Sequence, residues 1–432
     1  MPSGIPPGPS YPSWIQSVGF WTRPLAFLER CRARYGKRFT IRLPLAPPFV
    51  MISDPDEVKR VFTAPPDVLH PGEGARVLEP VVGTNSVLLL DEAAHLEQRK
   101  LMLPAFHGEK MERLSDLIAE VADREVASWP RGEPFRLGPR LQRLTMEIIL
   151  RVVFGLDPGE RLDALRERLS AVLAFGDRPI SLLPPPPGRL QAILERHGPF
   201  ASFVRLQEQA DALLFELIDE RRGEHAERDD ILSLLLEARH EDGSPMSSQE
   251  LRDELMTLLI AGHETTATLI TTAVEAMLGD HALRDRLAAA ESEELRAAIE
   301  EFLRWGSPIA QAPLRFAAED VEFDGVVVPR GAMVMVSLAA ANHDPARFER
   351  PDDYEELRDT TGHLAFGHGL HFCLGASLAR LEAEVALRTL LDRFPAFVAG
   401  SDVPLVRRRS VLVNAWARLP VVLAPEAVDA SA

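Results

Sequence analysis

Cys373 sits in the stretch Phe366-Gly367-His368-Gly369-Leu370-His371-Phe372-Cys373-Leu374-Gly375, where glycines and aromatics surround one thiol. A helical pattern follows, from about 374 to 393. A cysteine at a helix start meets N–H groups without intrahelical partners and the positive end of the dipole, and both favour the thiolate. Glycine permits backbone angles that other residues avoid and lets a flat partner approach closely. A shielded thiolate with N–H donors beside it suits an axial iron ligand. A second chemistry competes. His363, His368, His371 and Cys373 lie within eleven positions, a set able to hold zinc or non-haem iron. That spacing departs from the usual zinc patterns and leaves the glycines and Phe366 without a purpose. Cys31, flanked by Arg30 and Arg32, reads as a small buried apolar residue.

Upstream, Ala261-Gly262-His263-Glu264-Thr265-Thr266 lies in the middle of a long helical pattern. Ser247 and Glu250 stand in capping-box spacing at its start. The apolar repeat runs past Leu278, so about 30 residues span roughly 45 Å. A glycine with polar neighbours is a weak point in a buried helix, and a Thr265 hydroxyl back-bonding to the Ala261 carbonyl opens a groove or kink there. Glu301-Phe302-Leu303-Arg304 places an acid and a base one turn apart. The same spacing recurs at Glu29/Arg32, Glu57/Arg60, Glu73/Arg76, Glu293/Arg296 and Glu355/Arg358, where a solvated helix face is the ordinary reading. His95 and Arg99 stand at i,i+4 on a predicted helix and face the same way. Arg315 follows the strand start at Pro313-Leu314. Each of these cations, taken alone, reads as a surface charge.

The elements that must position these residues are helical with a minor sheet. Short strands are predicted at Arg38 to Leu43 and Phe49 to Ile52, then a helix from Asp54-Pro55, then a loop-like stretch over 65–91. Residues 92–304 read as mainly helical, 313–337 as strands, 343–360 as a meander, and Val411 to Trp416 as terminal strands. The 432 residues carry 46% apolar and 26% charged side chains, an ordinary folded composition, and a net charge of −17 with pI near 5.2. That balance argues against nucleic acid or an anionic membrane as the main partner. Two cysteines exclude a disulfide framework and a four-cysteine zinc module. The apolar run Leu255 to Leu278 reaches spanning length, yet it holds His263, Glu264 and Glu275, costly in lipid; it reads as a buried helix, not an integral membrane segment. Without a visible signal peptide, the expected compartment is the cytoplasm.

Phe366-x-x-Gly369-x-His371-x-Cys373-x-Gly375 resembles the haem-binding signature of the cytochromes P450, and the other landmarks follow in that family's order. The resemblance implies a mainly α fold with minor β sheets: a triangular-prism helical domain and a smaller β-rich region, as one domain over 1–432. The β-rich part is expected at 36–64, 313–337 and 405–424, the helical part at 92–304 and 374–393. It implies haem b (iron protoporphyrin IX) with Cys373 as the iron ligand. Phe366, Gly369, Gly375 and Ala261 would border the ring, and His95, Arg99, Arg315 and His371 would contact its propionates. Thr265 would hold the oxygen-derived ligand in place while Glu264 relays protons. Glu301 and Arg304 would pair with Arg358 and buttress the cysteine loop.

The implied activity is a monooxygenase that inserts one oxygen atom from O2 into a lipophilic substrate. No fused electron-transfer domain is visible, so a ferredoxin and a ferredoxin reductase are the expected donors, docking at a basic patch of Arg99, Lys100, Lys110 and Arg380. Val81, Val82, Val87, Leu88, Phe175, Ile180 to Leu183, Leu259, Ile260, Ile309, Ala310 and Ala312 are expected to line an apolar pocket, with Arg178 and Arg189 candidates for a substrate carboxylate. The alternatives are a peroxide-dependent or isomerase-type member of the family and a non-catalytic haem or metal sensor.

Overall fold

The computed structural model describes residues 4–106, 109–176, 201–223, 228–323, 325–400 and 405–424, without the side chains of 109–113, 175 and 176. Helices dominate. They include α1 (Ser13–Thr22), α2 (Pro24–Tyr35), α3 (Pro55–Phe62), α4 (Glu92–Met102), α5 (Ser248–Gly279), α6 (Ser292–Gly306) and α7 (Ala376–Arg393). Local chemistry sets their starts. Asp54 accepts from the amides of Asp56 and Glu57 ahead of α3. The predicted capping box opens α5: Ser247 Oγ accepts from Glu250 N at 3.1 Å, and Glu250 Oε2 accepts from Ser247 N at 2.7 Å. The helix then runs 32 residues without a break.

The principal sheet is built from β1 (Arg38–Ile41), β2 (Phe49–Ile52), β3 (Leu69–His70), β4 (Arg315–Ala317) and β5 (Met333–Val336), in the order β1-β2-β5-β4-β3. Only β2 and β5 pair in parallel within it. Further along, β6 (Val406–Arg407) pairs antiparallel with β7 (Trp416–Arg418). Pro420–Leu423 joins Phe135–Arg136 and Phe397–Ala399 in a three-stranded sheet.

The described residues gather into two compact units: Met1–Gly74, Ile118–Thr145 and Glu264–Ala432 in the first, Ala75–Leu117 and Met146–His263 in the second. In the first unit, Val50, Ile52, Val334 and Val336 of the sheet form one core with Phe62 of α3 and with Leu364, which begins the cysteine loop. Burial of these side chains anchors that loop to the sheet.

Several expected boundaries move. The first strand ends at Ile41, and the loop expected over 65–91 contains β3 and short helices at Pro71–Gly74 and Glu79–Val82. The final helix starts at Ala376, capped by Gly375. Of the strand expected from Val411 to Trp416, the stretch before Trp416 forms an isolated antiparallel bridge, Val413 with Ile309, and the regular strand begins at Trp416. Helices α1 and α2 lie ahead of every segment that periodicity marked as helical.

Candidate functional site

The cysteine loop is fixed by its own backbone. Cys373 N donates to Phe366 O at 2.9 Å, Gly367 N to Leu364 O at 2.9 Å and Phe372 N to Gly369 O at 3.0 Å. Gly367 and Gly369 both adopt left-handed backbone angles, φ 73° and 63°. A Cβ at Gly369 would come within 3.1 Å of Thr63, and one at Gly367 within 3.1 Å of Phe62. Both positions therefore require glycine for conformation and for close packing on the end of α3. Gly375 differs: its φ is −82°, and the space a Cβ would enter is open. Cys373 is exposed on this loop, whereas Cys31 is buried, and burial pushes its thiol up. Among the described residues, no three or more His, Cys, Asp or Glu side chains gather as a metal site requires; His363 bonds through Nε2 to Glu300 Oε2 at 3.0 Å, and its Nδ1 takes the Ala365 amide.

Glu301 and Arg304 lie fully buried on α6, joined by two bonds of 2.6 and 2.7 Å. Arg358 reaches the same carboxylate at 3.0 Å, as does the Glu355 amide at 3.1 Å. Arg304 also donates to the carbonyls of Asn342 and Pro351. Asn342 passes the connection on, because its Oδ1 accepts from Leu364 N at 2.7 Å. The expected triad thus exists and reaches the cysteine loop through Asn342, a link that spacing did not reveal.

One helical position earlier, a second network holds the same loop. Arg380 of α7 donates twice to Glu300, at 2.5 and 2.9 Å, and its guanidinium lies 4.5 Å from the Phe366 ring centroid. Phe366 in turn packs 6.0 Å from Phe372. Burial raises the Glu300 carboxyl, but the hydrogen bonds and charges of Arg380 and His363 outweigh it and hold it at about 2. Arg380, expected near the cysteine face, thus lies against the cysteine loop, paired with Glu300 and stacked on Phe366. Lys100 pairs with Glu241 at 3.2 Å. The side chain of Lys110 and all of Ile180 to Leu183, Arg178 and Arg189 lie outside the described residues, as does the Phe175 side chain.

On α5, the middle is accessible while its flanks are buried: Ala261 is exposed and Gly262 to Thr265 are half-buried. Threonines elsewhere on this helix back-bond in the way expected at Thr265: Thr257 on the Asp253 carbonyl at 2.7 Å, Thr268 on the Glu264 carbonyl at 2.8 Å and Thr271 on the Ala267 carbonyl at 2.6 Å. The Glu264 carboxylate is ion-paired with Arg408, from the connection after β6. Eleven residues on, Glu275 accepts from Trp416 Nε1 of β7 at 2.5 Å and lies 3.8 Å from Arg407. Thr266 bonds to Glu382 of α7, a fully buried acid whose carboxyl burial pushes up to about 8 despite that bond. Neither Arg408 nor Glu382 stood out in the sequence; no local spacing links them to positions 264 and 266.

The four predicted cations fall in both units. In the first, Arg315 is 3% exposed, lies 4.4 Å from the Phe62 ring centroid and donates to Pro313 O at 3.4 Å. Burial alone lowers its guanidinium to about 10, with no carboxylate against it among the described residues. His371 is half-buried in the cysteine loop. In the second unit, His95 and Arg99 share α4 as predicted. Burial and then the Arg99 charge lower the His95 pKa.

Also in the second unit, α5 holds the loop expected to border the substrate. Asp253 Oδ2 accepts from Asn85 N and Nδ2 at 3.0 and 2.8 Å, and Thr257 bonds Ser86 at 2.7 Å. Glu254 Oε1 accepts from Val87 N at 2.8 Å and Gln98 Nε2 at 2.9 Å; burial pushes its carboxyl up to about 8. Of the residues expected along an apolar pocket, Val82, Val87, Leu259, Ala310 and Ala312 are buried.

The family model described as Cytochrome P450 matches residues 2–418. Putative cytochrome P450 135B1 of Mycobacterium tuberculosis is 35% identical over 408 residues, covering 90% of this chain and 85% of the relative. Among solved structures, cytochrome P450 PksS of Bacillus subtilis superposes with a TM-score of 0.79 at 26% identity, over 94% of this chain and 98% of that one. CYP109Q5 of Chondromyces apiculatus gives 0.78 at 28%, over 98% and 99%. The chain belongs to the cytochrome P450 family, and the mainly helical fold with small sheets is that family's fold. Membership makes it an oxidoreductase of the monooxygenase class whose cofactor is haem b, bound through a cysteine thiolate. The residues present fit that group: the buried Arg315 guanidinium has no anion against it among the described residues, the charge that a propionate would supply. Among the described residues, no helix is long and apolar enough to cross a membrane.

Proposed function

We propose that this chain inserts one oxygen atom from O2 into a lipophilic substrate, with electrons from a ferredoxin and its reductase, and that residues 1–432 act as one catalytic domain. Haem b, when bound, supplies the iron at which O2 is activated. Cys373 is its thiolate ligand, on a loop held by Phe366 O and, through Leu364, by Asn342. Phe366, Gly369, Gly375 and Ala261 border the ring, and Arg315, His371, Arg99 and His95 hold the propionates.

Glu264 carries protons inward from solvent, and Thr265 orients the acceptor and keeps water from the reacting atoms. Their place in the accessible middle of an otherwise buried α5 supports this reading. The observation that carries it is the cysteine loop, whose two left-handed glycines and buttress of Glu301, Arg304 and Arg358 serve one exposed thiol.

The carbon monoxide difference spectrum of the reduced protein tests the ligand: a thiolate-type Soret band is expected in wild type and lost in Cys373→Ser. Its absence from folded, haem-loaded wild type overturns the assignment. Substrate turnover by Thr265→Ala with O2 tests the mode, since undiminished product would favour a peroxide-dependent or isomerase-type reaction.

A further inference from the structure

Helix α1 is turned inside out relative to an ordinary surface helix. At 100° per residue, Trp14, Ile15, Val18 and Trp21 fall on one face. All four are exposed, Trp14 by 62% and Val18 by 56%. The opposite face holds the buried Gln16 and Phe20. Gln16 is fully occupied inward: its Nε2 donates to Pro9 O and Tyr11 O, and its Oε1 accepts from Arg42 N at 2.8 Å. Phe20 packs 6.3 Å from Phe49 of β2. The orientation is therefore built in, since rotating the helix would strip the amide of three partners and uncover Phe20. Leu45 extends the apolar surface at the tip of the β1–β2 connection, fully exposed on a left-handed backbone with φ 61°. Tyr11 is exposed just ahead of the helix.

The charge around this face is opposite to that of the whole chain. The first 53 residues hold seven basic side chains and one acid, a net +6, so the remainder carries −23 of the total −17. Part of that positive charge is used internally: Arg32 and Lys37 pair with Asp344, and Arg38 with Glu57. Arg23, which ends α1, and Arg42, whose amide is bonded to that helix, are exposed.

We infer that α1 and the β1–β2 tip form a peripheral docking surface for an anionic lipid bilayer. Exposed tryptophans flanked by arginine match an interface whose apolar layer lies just below negatively charged headgroups. A second copy of the chain fits less well, because a two-fold contact would set the arginines of one face against those of the other. The inference does not depend on the proposed reaction; it concerns where the protein works.

The test uses the full-length holoprotein and vesicles of phosphatidylcholine alone or mixed in equal amounts with phosphatidylglycerol. Wild type is expected to sediment with the mixed vesicles only, with a blue shift of tryptophan emission, and to be released by about 1 M salt. Trp14→Ser/Trp21→Ser and, separately, Arg23→Gln/Arg42→Gln are each expected to weaken partitioning about tenfold or more while the haem spectrum stays unchanged. If the tryptophan pair fails to fold, Trp14→Ser/Val18→Ser takes its place. Wild type that ignores both vesicles, or variants that bind as wild type does, overturns the inference. So does a dimer in vesicle-free solution that the tryptophan substitutions dissolve, which would assign the face to self-association.

Discussion

Glu382 offers a quantitative test of how the core treats charge. It is fully buried on α7; among the described residues its Oε2 has no hydrogen-bond partner, and Thr266 of α5 is the side chain bonded to it. Burial pushes its carboxyl from 4.5 to about 8, about 3.5 pKa units, which at about 1.4 kcal/mol each is roughly 5 kcal/mol. The folded-state value lies above the unfolded one, so the stability linked to this proton is complete below about pH 4.5. It drains away as pH rises, because the unfolded chain ionises while the folded chain holds its proton, and the loss ends near pH 8. Glu382→Gln keeps the shape and the Thr266 contact and removes the titration. Urea unfolding of the holoprotein at a series of pH values reads the outcome. At pH 5 the variant is expected within about 1 kcal/mol of wild type. By pH 8.5 it should be more stable, by up to roughly 5 kcal/mol, a ceiling that water penetration lowers. A difference between the two proteins that stays flat across this range would refute a buried, protonated Glu382.

Four further outcomes follow from the same structure. Glu301→Ala strands Arg304 and Arg358 without their shared carboxylate and should cost about 3–5 kcal/mol in urea unfolding, with loss of bound haem. Arg315→Leu removes a buried cation with no carboxylate partner among the described residues; the haem-free chain should gain on the order of 1 kcal/mol, while haem transfer to apomyoglobin speeds up, and unchanged transfer would argue against a propionate contact. Arg380→Gln releases Glu300 from about 2: the stability tied to that depressed carboxyl is present above about pH 4.5 and lost as pH falls towards 2, so the variant's acid limb should be shallower than wild type's. Arg408→Gln breaks the ion pair with Glu264 and should lower substrate turnover with O2; undiminished turnover would remove that pair from the proton path.

What was legible in the sequence was what local chemistry decides. The capping box at Ser247 and Glu250 involves residues three apart, and the coordinates return both of its bonds. The glycines around Cys373 carry their meaning in their own backbone angles, although the demanding pair is Gly367 with Gly369, and Gly375 is conformationally ordinary. Glu301 and Arg304 could be picked from the other pairs of the same spacing only by their place in the order of landmarks, because a charged i,i+3 pair looks the same whether buried or solvated. What stayed hidden was the partner of each charge. Glu264 meets Arg408, Glu300 meets Arg380 from 80 positions away, and Asp253 meets Asn85 from 168. Such pairings are set by which chain segments the fold brings together, and no local spacing announces them.

Helix α1 failed for the complementary reason. Its apolar residues have helical spacing, but the stripe faces outward, so pattern alone says neither which side is the core nor that a helix exists. Only Gln16, with all three of its bonds turned inward, reveals the orientation. A periodic stripe therefore reports that a face will be covered, while the polar residue opposite it decides whether the cover comes from this chain or from something outside it.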